Sequence, residues 1–465
     1  MFSRGTLVLT HQSDPIAPDA LYQALNGAAP AERAQRVLRC IVEHTEGRLE
    51  LPARDGFRAM LDGIDLGRER FQKAEGGGDT SPQCWNTEHQ AVDLRHANLG
   101  GASLRHANLH GALLEKACLA ETDLVGTSLQ GADLSGADLH GALLEDADLR
   151  KAVLRFVQGQ GSVLEEARLQ GADLWGADME GADLSGADLQ GATLEEANFQ
   201  GSDLAGAELR GTILKRTNLK GADLRGADLR GATLGGTNLE GALLMDAKVQ
   251  ELDLTDCTLT HVHTCGARLE KTRLDQDQLG GAIGEEIAGE YGLARKGYLA
   301  LEQNFESPGD KEAASWAYRK RRRMQKLSLR KQAAAALKER RWTTAVGCSI
   351  HYATDQLVEW LCDYGESIPR VFAWLLGVYV FFTLLYGLTG GLIHVDNMPG
   401  SASRTPVHDP AEIAAFSLLA ITTATPPPDI LPRNEFFYLL CGIQAFLGIL
   451  LTGLLGFVLG NRIRR

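Results

Sequence analysis

Four side chains with metal-ligand chemistry fall close together: Cys257, His261, His263 and Cys265. Thiolate sulfur and imidazole nitrogen are common ligands of tetrahedral zinc. Aspartates recur at one spacing through the middle of the chain, as at Asp133, Asp138 and Asp173. Such carboxylates can act as acids or bases, or can hydrogen-bond turns. The run Arg321, Arg322, Arg323 lies in a stretch from Arg319 to Arg341 whose only acid is Glu339. Positive charge at that density seeks phosphate, on a lipid or a nucleic acid. Nearer the C-terminus, Thr422, Thr423, Ala424, Thr425, Pro426, Pro427, Pro428 and Asp429 set hydroxyls, prolines and a carboxylate between apolar runs. Gln444 and Thr452 stand as polar residues inside one of those runs. No nucleophile elbow, phosphate loop or HExxH motif occurs. The expectation is a protein without catalytic residues, without a bound metal and without a cofactor.

A repeat positions the residues in the middle of the chain. From Leu94 to Leu279 every fifth residue belongs to one unbroken register of 38 positions, and only Gly159, Met179, Phe199, Val249 and Thr264 depart from leucine. A small residue stands two places earlier, usually alanine, with Asp or Asn between, as in Ala132-Asp133-Leu134. A period of five is neither helical nor that of a strand. It suits a four-sided coil with one repeat to a side, the leucine and the small residue inward and the other three positions outward. Coils paired about 4.8 Å apart would make a rod on the order of 45 Å long from residues 92–281. In this register Cys257 points inward while His261, His263 and Cys265 point outward, so the four are not expected to converge on an ion. The aspartates share one repeat position, which favours turn bonding over catalysis.

The run 171-GADLWGADMEGADLSGADL-189 and its neighbours resemble the pentapeptide-repeat family, over about two fifths of the chain. The resemblance implies a right-handed quadrilateral β-helix, a pentapeptide-repeat solenoid. It implies little about activity, although some members inhibit topoisomerase by mimicking DNA with an acidic dimeric rod.

The totals agree with a repeat protein carrying further units. Of 465 residues 52 are glycine and only 6% are aromatic, a poor composition for a globular enzyme. The net charge of -13 hides a basic cluster beyond the repeat. The eight cysteines include no CxxC pair, so a reducing compartment is expected. Residues Met1–Pro15 carry no secretory signal pattern. A separate N-terminal unit is expected over 1–85, with a helix over Leu21–Glu43, a strand or short helix over Leu49–Gly63, and a linker at Gly76-Gly77-Gly78.

A helical basic juxtamembrane linker is expected over 285–368. One helix should run from Glu285 to Ser307 and a second from Lys311. Position just before hydrophobic spans favours lipid headgroups for Arg321, Arg322 and Arg323 over nucleic acid. The other reading is a topology signal with no specific lipid. Leu357, Trp360 and Leu361 suggest an interfacial helix leading to Pro369.

The last unit is expected over 369–465. Val371–Ile393 and Phe436–Gly460 are apolar runs long enough to cross a hydrocarbon core. Basic residues before the first and Arg462, Arg464 and Arg465 after the second put both termini in the cytoplasm. Between the runs, Ala411–Thr425 is too short to cross and reads as a re-entrant helix. The order resembles the two-transmembrane pore module of potassium-channel-like proteins. Asp429-Ile430-Leu431-Pro432, the pair Thr422 and Thr423, Phe416-Ser417-Leu418, and Gly442, Gly448 and Gly453 carry the resemblance. It implies an α-helical two-span membrane domain with a re-entrant pore helix, assembled as a homotetramer in the inner (plasma) membrane. The filter departs: Pro426 and Pro428 occupy its two glycine positions, and proline cannot take positive φ. Four copies of Asp429 would form an acidic ring favouring inorganic cations. Gln444, Gly448 and Thr452 share one helix face, so the polar pair could line a pore or mediate helix packing. Two functions remain open. One is a weakly selective cation pore with cytoplasmic repeat rods. The other is a non-conducting membrane anchor whose acidic rod binds a cytoplasmic protein partner.

Overall fold

The computed structural model describes residues 85–86, 91–92, 94–97, 99–395, 404–423, 427 and 429–464. Nearly all of the unit expected over 1–85 lies outside these residues, as do Ala424, Thr425, Pro426 and Pro428. The chain divides into two compact units, Met1–Ala314 and Ser315–Arg465.

In the first unit a short antiparallel ladder of β1 (Trp85–Asn86) and β2 (Ala91–Val92) precedes the repeat. The repeat then advances one coil for every four units. Ser103 bridges Asp123 in parallel, Asp123 bridges Leu143, and the step continues to Asp253 and Arg273. Leu114 N–H donates to the Asp133 carbonyl (2.6 Å) and Asp133 N–H donates back to the Ala112 carbonyl (2.9 Å). Each corner is a tight turn. At one, Ala132 N–H donates to the Leu129 carbonyl (3.0 Å) across Gly131, whose φ is +66°. Positive φ at the third residue is the requirement of a type II turn, and it explains why glycine precedes the alanine so often.

The register leucines from Leu94 to Leu269 and the alanines two places before them are buried. Departures from leucine compensate one another within a column. A Cβ on Gly159 would stand 2.5 Å from the sulfur of Met179 one coil on, so the thioether fills the room a leucine would have taken. Threonine replaces alanine at no polar cost. The buried hydroxyls of Thr122, Thr127, Thr217 and Thr237 donate to the carbonyls of Leu99, Leu104, Leu194 and Leu214. The outward aspartates bond turns: Asp133 Oδ1 accepts from the Ser135 N–H (2.9 Å) and hydroxyl (2.6 Å).

The rod ends under a cap. The single helix expected from Glu285 to Ser307 is instead two pieces, α1 (Gly284–Ile287) and α2 (Tyr291–Glu306), separated by Gly289 at φ +71°. An open sheet edge exposes unpaired N–H and C=O groups and templates unwanted pairing. Here side chains occupy it. Gln278 Nε2 donates to the carbonyls of Leu254 (2.8 Å), Thr255 (2.9 Å) and Cys257 (2.7 Å). Glu285 Oε1 accepts from Cys265 N–H (2.6 Å), and the Asn304 amide both accepts from Thr272 N–H (3.1 Å) and donates to its carbonyl (2.8 Å).

The second unit contains most of α3 (Lys311–Lys338), then α4 (Trp342–Cys362), a left-handed turn at Asp363–Gly365 and α5 (Ile368–Thr389). There follow β3 (Leu392–Val395), β4 (Arg404–Pro406), α6 (Pro410–Thr423), β5 (Ile430–Pro432) and α7 (Glu435–Arg464). Ile368–Thr389 and Glu435–Gly460 are long and apolar enough to cross a membrane. The first run stops short of the expected Ile393. Gly390, at φ +59°, returns its N–H to the Tyr386 carbonyl and ends α5. Leu392–Val395 then becomes the middle strand of an antiparallel sheet in the order β4-β3-β5, with Leu392 opposite Pro432 and Ile393 opposite Pro406.

Candidate functional site

Thr422 and Thr423 belong to α6, which packs against both α5 and α7. Phe416 and Ile413 face inward with Phe382, Tyr386, Leu392 and Phe437. Tyr386 meets Phe416 edge-on at 5.6 Å. On the α7 side Gln444 is fully buried, and its Nε2 donates to the Ser417 carbonyl (2.9 Å) and hydroxyl (2.7 Å). One turn on, a Cβ at Gly448 would lie 2.1 Å from the Ile421 carbonyl oxygen, so only glycine lets the two helices approach this closely. Gln444 is therefore turned to α6. Thr452 is exposed on α7, its hydroxyl bonded back to the Gly448 carbonyl (2.8 Å).

Thr422 and Thr423 end α6, exposed, with their hydroxyls on the carbonyls of Leu418 (2.7 Å) and Leu419 (2.8 Å). The Pro427 carbonyl accepts from Ile430 N–H (3.3 Å). Asp429 is exposed, and its backbone carbonyl accepts from Val395 N–H (3.0 Å), which ties the loop to β3. His394 on β3 lies 2.9 Å from Glu412 in the first turn of α6. The sheet was missed in the sequence because Leu392 and Ile393 continue the apolar run of α5; the glycine pair Gly390-Gly391 before them was the available signal.

The basic helix is paired rather than free along one face. Arg322 bonds Asp355 (3.1 Å) and Arg323 bonds Glu359 (2.9 Å). Lys326 also bonds Glu359. Burial works against a charged Glu359, but Lys326 and Arg323 outweigh it and hold the carboxyl below its usual range. Arg322 also stacks over the Tyr364 ring at 5.3 Å, and Arg321 over Tyr318 at 5.2 Å. Acids spaced one helical turn apart on α4 thus pair with Arg322 and Arg323, the residues expected at lipid headgroups. Asp363 and Tyr364 are both at positive φ; Asp363 pairs with Arg319, Arg323 and Arg370, and Tyr364 lies under Arg322. Left-handed backbone at two residues with side chains is strained, and these contacts hold it in place.

In the rod the Cys/His group does not gather. Cys257 is inward as expected, but Cys265, expected outward, is buried under the cap. Burial first, and the charge of Glu285 next, push the Cys265 thiol up. No group of three or more His, Cys, Asp or Glu able to hold a metal occurs among the described residues.

The family model of pentapeptide repeats matches the chain in 8 copies, over residues 90–126, 127–158, 162–201, 194–231 and 222–260. Among solved structures, HetL, a pentapeptide repeat protein involved in heterocyst differentiation regulation from the cyanobacterium Nostoc sp. strain PCC 7120, is 34% identical. The match covers 39% of this chain and 82% of HetL, with a TM-score of 0.32. QnrB1, a plasmid-mediated fluoroquinolone resistance protein, is 19% identical over 39% of this chain and 95% of its own, with a TM-score of 0.22. A pentapeptide repeat protein of the Arabidopsis thaliana thylakoid lumen is 30% identical over 25% of this chain and 67% of its own, with a TM-score of 0.16. No curated protein matches the chain.

Proposed function

The chain belongs to the pentapeptide-repeat family, and we propose that it is a membrane-anchored member whose second unit assembles with copies of itself into a weakly selective cation pore. The observation that carries this reading is the seat of α6. At 14 residues it is too short to cross a core that takes about 20. It is nevertheless clamped between two helices long enough to cross, whose most apolar stretches are only 17% and 22% buried. Core helices of a soluble fold are covered; these turn apolar sides outward, as lipid-facing helices do. A short helix that returns at depth is tolerated where protein buries it or water fills a pore.

One pair of spans encloses no pore, so the reading requires an oligomer, and a homotetramer fits the channel resemblance. Asp429 would ring the mouth and favour cations. Pro426 and Pro428 remove the glycines of a potassium filter, so selectivity for potassium is not part of the proposal. The basic flanks favour an orientation with both termini in the cytoplasm beneath an inner (plasma) membrane. The reading includes no catalytic step and no nucleic-acid partner. Its test is ion flux through the purified chain in a planar bilayer, beside a variant with Pro426→Gly and Pro428→Gly. Discrete conductance in the native chain supports the pore.

A second reading, a non-conducting anchor that holds the rod for a cytoplasmic protein partner, is favoured by one observation. Phe156, Trp175 and Phe199 are the aromatic residues between Leu94 and Leu279. Phe199 is buried, whereas Phe156 is 55% exposed and meets Trp175 edge-on at 4.7 Å. Silence of both bilayer preparations, with the oligomer confirmed, would sink the pore and leave this reading.

A further inference from the structure

We propose that the face of α4 running from Trp342 to Trp360 lies on the surface of a lipid bilayer that contains anionic headgroups. The inference rests on the membrane reading above and extends it to a helix outside the two spans.

Trp342, Val346, Ile350, Ala353, Leu357 and Trp360 recur at steps of three and four and so share one side of the helix. They define an apolar stripe about 27 Å long at 1.5 Å per residue. It is uncovered: Trp342 is 65% exposed, Ile350 58% and Trp360 59%. Near its start the stripe deepens into an apolar groove shared with Leu337 of α3. A continuous exposed apolar surface of this length marks an interaction site.

Three features select a lipid surface as the occupant. Both acids of α4, Asp355 and Glu359, are turned away from the stripe and paired with Arg322, Arg323 and Lys326. The stripe therefore presents no negative charge. Immediately before it stand Lys338, Arg340 and Arg341, all exposed. Arg341 pairs with Glu339, itself an exposed residue and the one acid among these four, so this end of the stripe is cationic and complements anionic headgroups. At the other end Trp360 meets Trp374 of α5 at 4.1 Å. Trp374 lies in the first candidate span beside exposed Phe372 and Leu376, so the apolar stripe joins the apolar outside of the span. Tryptophan at both ends of a helix that is charged on one side and apolar on the other is the pattern of an interfacial helix.

The test uses the full chain in liposomes of phosphatidylcholine, with and without phosphatidylglycerol. Lipids brominated near the headgroup end of the acyl chain are the quencher. The contribution of Trp342 is the emission lost in Trp342→Phe. The expected result is that brominated lipid quenches this contribution, and more strongly with phosphatidylglycerol present. Val346→Lys with Ile350→Lys should relieve the quenching, and Thr354→Lys should not. Alkaline carbonate extraction of the same liposomes separates the two failures. A chain that resists extraction while Trp342 stays unquenched overturns the docking and leaves the spans. Unquenched emission at short wavelength would assign the stripe to a second copy or another protein instead. Equal quenching in both lipids overturns the assignment of the cations to headgroups. A chain that carbonate extracts overturns the membrane reading and the docking with it.

Discussion

The amide of Gln444 on α7 gives both of its protons to Ser417 on α6, one to the carbonyl at 2.9 Å and one to the hydroxyl at 2.7 Å. The bond pair fixes the height of the short helix along the long one. Gln444→Leu keeps the volume and removes both bonds. It should lower the thermal stability of the detergent-purified chain by about 0.5–2 kcal/mol, the range of polar contacts between apolar helices. An unchanged melting curve would show that α6 is held by packing alone.

Gly448 sets how closely the same helices approach. Gly448→Ala drives a methyl to 2.1 Å from a backbone oxygen that cannot step aside without moving α6. The expected loss is about 1–3 kcal/mol, as for overpacking in a core. Gly456→Ala is the control, because a Cβ there meets nothing within 4 Å. Equal stability of the two variants would refute the close approach.

Asp228 joins three coils of the rod. It accepts from Arg210 (2.8 Å), Arg230 (2.8 Å) and Lys248 (3.3 Å). Arg230 foremost, against the effect of burial and with help from Arg210 and Lys248, holds its carboxyl well below the usual range. A carboxyl with a lowered folded value binds a proton more readily when unfolded. Its stabilisation is therefore complete above about pH 4 and fades as the pH falls further, through the folded value. Asp228→Asn should lower the midpoint of the rod at neutral pH by a few degrees, on a scale of about 2–4 °C per kcal/mol. The deficit should shrink in acid; a deficit independent of pH would remove the ion pairs from the account.

Burial pushes the Cys257 thiol up to about 11, and its S–H donates to the Leu234 carbonyl (3.1 Å). A neutral thiol is a poor nucleophile and a poor zinc ligand. In the folded chain at pH 8 Cys257 should stay unlabelled by maleimide while half-buried Cys348 reacts. Peptide mapping reads both sites. Rapid labelling of Cys257, or its protection only when zinc is added, would reverse that assignment.

The cap is tested at Asn304, which satisfies both backbone groups of Thr272. Asn304→Ala takes the amide from the Thr272 carbonyl and leaves its N–H only the turn bond to the Leu269 carbonyl (2.9 Å), which should cost about 1–3 kcal/mol. Hydrogen exchange should report the loss first at Thr272 and Arg273. Loss spread evenly over the whole rod would mean that α2 does not protect the edge.

The rod was legible in the sequence because every contact that builds it repeats. Leu134, Ala132 and Asp133 each do what their counterparts do one coil away, so periodicity alone reveals inside, outside and turn. The cap was not legible, because Gln278 and Asn304 act on backbone 21 to 32 residues distant and nothing in their types foretells it. In the second unit the two long apolar helices and the short one between them were plain from length. The partners of Gln444, Arg322 and Arg323 were not. Each is a polar side chain whose partner lies on another helix, and helical spacing gives its side but not what that side meets.

The rod can change length only in quanta. Each coil returns to the same direction after four five-residue units, as the Asp123–Leu143 and Leu143–Val163 bridges show. Removing 20 residues would shorten the rod by one step and leave every later side chain pointing as before. Removing five would preserve each turn and each inward leucine, yet rotate everything downstream by a quarter turn. Taken from between Trp175 and the cap, those five residues would turn exposed Phe156 and half-buried Trp175 by a quarter turn relative to the cap. Duplication and loss by whole coils is thus a neutral edit, while the single motif, the apparent unit of the sequence, works as an angular dial.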